Sequence, residues 1–111
     1  MSTQAPQQAV LQQLLADAAA AVSAKLGKPP EVIMVRVSDP APMRFADSGE
    51  PCCFIDVRGI ALQAGPPLAE LSDALCGLAG PAFGVEPGRC FVNFIDVPRT
   101  HWGLGGRGTL A

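Results

Sequence analysis

The sequence predicts a single α/β (α+β) domain, residues 1–111, built from two strand–helix–strand halves, and three observations lead to this fold class. Two segments carry apolar residues at the three- and four-residue spacing of a helix face. Three segments carry the alternating or β-branched apolar residues typical of strands. The helix–turn–strand unit also occurs twice, at an offset of 57 residues that aligns Leu26–Gly27 with Phe83–Gly84 and Pro30 with Pro87.

Glycine and proline delimit both predicted helices. The first begins near Pro6 and ends at Gly27, and the second begins near Pro66–Pro67 and ends near Phe83, before Gly84. The apolar stripe of the first helix comprises Leu11, Leu14, Leu15, Ala18, Val22 and Leu26. The stripe of the second comprises Leu68, Leu71, Ala74, Leu75 and Leu78.

Three strands are predicted, over Glu31–Ser38, Cys52–Ile60 and Arg89–Val97. In the second strand, alternation predicts that Cys53, Ile55 and Val57 face one side and that Phe54, Asp56 and Arg58 face the other. The glycine-rich tail after Pro98 is expected to form only short extended pieces.

The repeat also predicts a strand before the first helix, at positions that mostly precede Met1. We therefore expect the first strand to be missing from the chain, because Met1–Ala5 is too short and too polar to replace it. A strand–helix–strand crossover normally joins parallel neighbours, so the second half is expected to be complete.

Composition and charge exclude several classes of function. Hydrophobic residues make up 49% of the chain and the net charge is -2, which argues against a disordered tail and against a nucleic-acid partner. No apolar stretch is long enough to cross a membrane, and no secretory signal is recognisable, so we expect a cytoplasmic protein, with leaderless release left open. The cysteines form no Cys-x-x-Cys pair and His101 is the only histidine, so we expect no metal site.

Four stretches together resemble one known family. They are LGKPPEVIMVRV (26–37), GEPCCFIDVRGI (49–60), LCGL (75–78) and PGRCFVNFIDVPRTHWG (87–103). In order and spacing they are similar to the macrophage migration inhibitory factor family of the tautomerase superfamily, from about residue 6 to the end of the chain. This resemblance implies a four-stranded mixed sheet with two antiparallel helices on one face, assembled into a homotrimer. It also implies keto–enol tautomerism of small aromatic α-keto acids such as phenylpyruvate, isomerisation of dopachrome-like compounds, and no cofactor.

The resemblance assigns roles to individual residues. Lys28, in its GKPP context, matches a catalytic cation beside the base, although a lysine after a helix is also favoured by the helix dipole. Substrate-binding roles are implied for Ile60, Phe91, Asn93 and Trp102, with Asn93 contributed by an adjacent subunit. Phe91 replaces a tyrosine of the animal proteins, and Leu104 is an alternative to Trp102. We interpret Arg36, Arg58 and Arg99 as solvated charges, with a carboxylate site as the alternative.

The catalytic base of the family is an amino-terminal proline, which the alignment places a few positions before Met1. Pro6 matches a later, structural proline. Three hypotheses follow: a tautomerase whose native terminus carries that proline, a catalytically silent trimeric binding or cytokine-like protein, and a small α/β module that binds a metabolite. Cys52–Ile55 lacks the Cys-x-x-Cys pattern, so thiol chemistry is not implied.

Overall fold

Two helices pack against one face of a parallel pair of strands in the computed structural model, which describes residues 7–38 and 40–110. The elements in chain order are α1 (Gln8–Leu26), β1 (Cys53–Gly59), α2 (Pro66–Phe83), β2 (Cys90–Asp96), β3 (Gly103–Leu104) and β4 (Gly108–Thr109). The predicted α+β class is confirmed. Neither α1 nor α2, nor any other helix in the described part of the chain, is long and apolar enough to cross a membrane.

Both helices end in the same way, which confirms the internal repeat. Gly27 and Gly84 adopt left-handed conformations with φ of 66° and 68°, a backbone geometry that glycine adopts without steric cost. Their N–H groups donate to the carbonyls of Ser23 and Gly80. A short 3-10 turn then follows each helix, over Pro30–Val32 and Pro87–Arg89.

The parallel pairing of β1 with β2 sets the two faces of the sheet. The register runs from Cys53 opposite Cys90 to Gly59 opposite Asp96. Side chains alternate in exposure along β1, as predicted, and along β2 as far as Phe94. The face packed on the helices carries Ile55, Val57, Val92 and Phe94. The face directed away from the helices carries Phe54, Asp56, Arg58, Phe91, Asn93 and Ile95.

The core lies between the helices and the sheet. Leu71 of α2 is completely buried and packs with Ala18 of α1 and Leu75. The Lys25 ammonium lies 3.3 Å from the Glu70 carboxylate, so the last turn of α1 is beside the first turns of α2. This contact fits the predicted antiparallel arrangement of the helices.

The strand predicted over Glu31–Ser38 is wrong. Pro30–Val32 forms a 3-10 turn, and residues 33–38 are outside any strand. Their side chains still alternate, since Val35 packs on the core while Met34 is 94% exposed. Alternation needs only a locally extended backbone, whereas a strand also needs a hydrogen-bonded neighbour, and in the described ranges β1 pairs only with β2. The expectation for Met1–Ala5 concerns residues outside the described ranges.

Two glycines of α2 should respond oppositely to substitution by alanine. A Cβ at Gly80 would lie 2.8 Å from the Val85 carbonyl oxygen, whereas a Cβ at Gly77 would meet nothing within 4 Å. We expect Gly80→Ala to lower the free energy of unfolding by about 1–3 kcal/mol, because the helix must move off the following turn. Gly77→Ala should raise it by about 0.5–1 kcal/mol through helix propensity alone. Urea denaturation of both variants measures these changes, and shifts of the same sign would contradict the close approach at Gly80.

Candidate active site

Lys28 and Ile60, two residues predicted for the site, meet at the end of β1. The Lys28 ammonium donates a hydrogen bond of 3.1 Å to the Ile60 carbonyl, across 32 positions of sequence. The backbone of Lys28 is itself held, because the Ser23 hydroxyl donates to the Lys28 carbonyl at 2.6 Å. Lys28 is half-buried, so its charge is partly shielded from water at this strand end.

The backbone around Ile60 is held by contacts with the end of β2. The Val97 N–H donates to the Gly59 carbonyl at 2.8 Å. The Leu62 N–H donates to the Asp96 carboxylate at 3.0 Å. Ala61, which lies between Ile60 and Leu62 in the chain, has a φ of 58°. This tight turn fixes the direction of the Ile60 peptide toward Lys28.

Phe91 lies far from this strand end in the same subunit, and Asn93 lies between the two. Both project from the exposed sheet face, and Phe91 is paired with Phe54 in the strand register. At about 3.3 Å per residue along β1, Phe54 is about 20 Å from Ile60. The structure therefore does not bring Phe91 together with Lys28 within one chain.

An aromatic pair that the sequence did not predict extends the Phe91 surface. The rings of Phe45 and Phe91 pack edge to face, with centroids 4.7 Å apart. Phe45 begins a two-residue turn, in which Ala46 and Asp47 both have positive φ and the Phe45 and Ser48 backbones exchange two hydrogen bonds. Asn-Gly is the usual signal for such a turn, so Ala-Asp gave no indication of it.

Arg89 fixes this loop. Its guanidinium lies 5.1 Å from the centre of the Phe45 ring. It donates four hydrogen bonds of 2.9 to 3.3 Å to backbone carbonyls of the loop, those of Phe45, Ser48, Glu50 and Pro51. Arg89 thus positions Phe45 against Phe91, a role that sequence reasoning missed although the residue belongs to a motif of the resemblance.

Trp102 is half-buried near the ends of β1 and β2, on the side where Ile60 lies. Its backbone N–H donates to Arg99, and its carbonyl accepts from Leu110, so the terminal hairpin holds it. It lines a cavity of about 340 Å³ together with Arg58, Val97, His101 and Gly103. Leu104, the alternative to Trp102, is 49% exposed.

Three thiols lie near one another, those of Cys53 and Cys90 at the starts of β1 and β2 and that of Cys76 on α2. Burial raises the pKa of the Cys90 thiol to about 11, and the neighbouring thiols of Cys53 and Cys76 add to this shift. Burial also raises the pKa of Cys53, while a hydrogen bond with Cys90 acts in the opposite direction. Cys76 contributes to this cluster through a long contact of 3.9 Å from its sulfur to the Cys90 carbonyl. A thiol with a raised pKa is a poor nucleophile, which argues against Cys53 and Cys90 as catalytic nucleophiles.

A larger cavity of about 690 Å³ runs along α2 and the turn after it, lined partly by Cys76 and Cys90. It contains none of the residues predicted for the site. Over the ranges 7–38 and 40–110, no group of three His, Cys, Asp or Glu side chains is arranged to hold a metal ion.

Comparisons with known proteins agree on one family. The family model described as macrophage migration inhibitory factor matches residues 1–111. The chain is 33% identical to the macrophage migration inhibitory factor of Toxoplasma gondii, covering 94% of this chain and 91% of that one, with a TM-score of 0.89. It is 30% identical to the homologue from Prochlorococcus marinus, covering 96% and 92%, with a TM-score of 0.87.

More distant comparisons extend this result. The macrophage migration inhibitory factor of Meriones unguiculatus is 27% identical over 106 residues, which are 96% of this chain and 92% of that protein. A solved structure of a fused 4-OT wild type symmetric trimer is similar in fold, with a TM-score of 0.80 at 22% identity. The similarity covers 93% of this chain and 86% of that one.

Arg89 should contribute measurably to stability through its loop contacts. We expect Arg89→Met to lower the free energy of unfolding by about 2 kcal/mol, because four carbonyls lose a charged donor. The matched control is Arg44→Met, which removes an exposed ion pair with Asp47 in the same loop and should change stability by at most about 0.5 kcal/mol. Urea denaturation measures the free energy of unfolding of both variants. Equal losses of stability in the two variants would contradict the role given to Arg89.

Cys90 should react slowly with alkylating reagents. Its pKa of about 11, against an ordinary value of 9.0, lowers the thiolate fraction near pH 8 by about 100-fold relative to the unfolded chain. We expect alkylation by iodoacetamide, followed by peptide mass spectrometry, to be slower by about that factor in the native protein.

The same shift links stability to pH. Because the unfolded thiol loses its proton near pH 9 and the native thiol does not, stability should fall as the pH rises from about 9 to 11. Cys90→Ala should reduce this loss. A native alkylation rate equal to that of the unfolded chain would contradict the raised pKa.

Proposed function

The chain belongs to the macrophage migration inhibitory factor family, and from this premise we propose that it is a keto–enol tautomerase, an isomerase acting on small aromatic α-keto acids such as phenylpyruvate. The observation that carries the proposal is the hydrogen bond of 3.1 Å between the Lys28 ammonium and the Ile60 carbonyl. It joins two residues for which the family pattern implies roles in one site.

The chemistry of tautomerism fits this arrangement. A base removes a proton from the carbon next to the keto group and a proton is returned on oxygen, while a cation holds the carboxylate and the developing enolate. Lys28 uses one of its three N–H donors for Ile60, which leaves two for a substrate carboxylate. The family pattern assigns the base to an amino-terminal proline, a position outside the described residues.

We propose that the complete site forms between subunits of a homotrimer. Phe91 and Asn93 are on an exposed sheet face, and their partners in β1 are about 20 Å and about 13 Å along the strand from Ile60, so we infer that another copy brings them to a Lys28 site. In the neighbouring subunit's site, Asn93 would supply amide hydrogen bonds and Phe91 an apolar ring without a hydroxyl. The similar fused 4-OT structure is a symmetric trimer, which supports this assembly.

The proposal includes a setting for the reaction. The protein acts as one tautomerase-like domain over residues 1–111, without a cofactor, in the cytoplasm. The four cysteines are free thiols, which fits a reducing compartment.

The alternative function is that of a catalytically silent trimeric binding or cytokine-like protein of the same fold, which needs no base beside Lys28. Lys28 makes no hydrogen bond or ion pair to a titratable side chain within residues 7–38 and 40–110. The described side chains therefore supply a cation and no adjacent base.

Assay of phenylpyruvate tautomerism separates these functions. The protein carrying its naturally produced amino terminus should show a rate above buffer, and Lys28→Met in that protein should lower kcat/KM by about 100-fold, because the substrate loses its cation. Lys25→Met is the matched control, since Lys25 pairs with Glu70 between the helices, and it should stay within about twofold. Circular dichroism checks that both variants are folded.

Two further measurements complete this test. Intact mass of the naturally produced protein reports its first residue, and sedimentation reports its assembly. A protein that forms trimers but shows no rate above buffer would be the silent binding protein, and a monomer would contradict the site between subunits.

A further inference from the structure

The cavity beside Trp102 lies at the same end of β1 as Ile60, the residue that Lys28 contacts. Arg58 precedes Ile60 by two residues, so their Cα atoms are about 7 Å apart along the extended backbone. Val97, which also lines the cavity, donates its N–H to the Gly59 carbonyl between them. The cavity of about 340 Å³ is large enough for part of a small aromatic ligand.

Arg58 differs from three other arginines of the chain. Arg36 donates to the Ser38 hydroxyl, Arg44 pairs with Asp47, and Arg89 is bound to loop carbonyls. The Arg58 guanidinium makes no hydrogen bond or ion pair to any described residue, although it lines a cavity. Its donors are therefore available to a ligand.

The lining of the cavity favours an anion attached to a planar group. It holds a guanidinium and an imidazole, from Arg58 and His101, and no carboxylate. A guanidinium binds a carboxylate through two parallel hydrogen bonds. Trp102 supplies the aromatic surface of the lining.

We propose that this cavity is a subsite for a second carboxylate, distal to the keto acid, carried on an aromatic ring. Arg58 binds that carboxylate, and Trp102 contacts the ring. The inference rests on the proposed function, in which Lys28 holds the carboxylate next to the keto group. The preferred substrate class is thus the aromatic α-keto acids with an additional carboxylate, and Arg58 determines this specificity.

Binding can be tested without catalysis, because Trp102 is the only tryptophan and its fluorescence reports on the cavity. The probes are 4-carboxyphenylacetate, a dianion, and phenylacetate, the matched monoanion. The full chain should bind the dianion about tenfold more tightly. Arg58→Met should abolish this preference and leave phenylacetate binding within about twofold.

Arg36→Met is the matched control, since it removes another exposed guanidinium, from outside the cavity, and it should keep the preference. Equal binding of the two probes by the unmodified chain would overturn the subsite. Equal effects of Arg58→Met and Arg36→Met would also overturn it, because the preference would then reflect net charge only.

A kinetic comparison separates this inference from the proposed function. The substrates are phenylpyruvate and 4-carboxyphenylpyruvate, and kcat/KM should be about tenfold higher for the dicarboxylate and depend on Arg58. Arg58-dependent binding of the dianion without turnover of either substrate would support the subsite and overturn the tautomerase. Turnover of both substrates at equal rates, independent of Arg58, would overturn the subsite and support the tautomerase.

Discussion

The in-register parallel pairing of β1 and β2 is the constraint on which the rest of the structure depends. Because side chains alternate along a strand, this register decides which residues pack on Leu71 and which face away from the helices. It also brings Gly59 opposite Asp96, so that the backbone after β1 is tied to the end of β2. A slip of one residue would bury Arg58 against the helices and expose Val57.

Features encoded locally could be predicted from the sequence. The helix ends followed from glycines that adopt left-handed conformations, and the repeat predicted that Gly27 and Gly84 would be equivalent, which their φ values confirm. The two faces of β1 followed from alternation alone. The meeting of Lys28 with Ile60 could not follow from spacing, because it joins segments 32 positions apart, and only the resemblance suggested it.

Features that depend on a distant neighbour were missed. Residues 33–38 have the composition and the alternation of a strand, yet a strand exists only where another backbone pairs with it. The role of Arg89 could not be predicted, because its partners are backbone carbonyls of a loop some 40 positions earlier. Every residue has a backbone carbonyl, so the sequence does not indicate which carbonyls an arginine binds. Phe45 was overlooked for the same reason, since its partner, Phe91, becomes its neighbour only after Arg89 folds the loop back.

The exposed sheet face connects stability to function. Phe54 and Phe91 are 56% and 44% exposed on the side that the two helices leave uncovered. Each Å² of such apolar surface removed from water contributes about 25 cal/mol. Contact with other copies of the chain that covers this face would therefore stabilise every subunit of the assembly. In the proposed trimer, the same association brings Phe91 and Asn93 to a neighbouring Lys28. Assembly and completion of the site are then one event, and a substitution that weakens the contact between subunits should reduce activity even when each subunit remains folded.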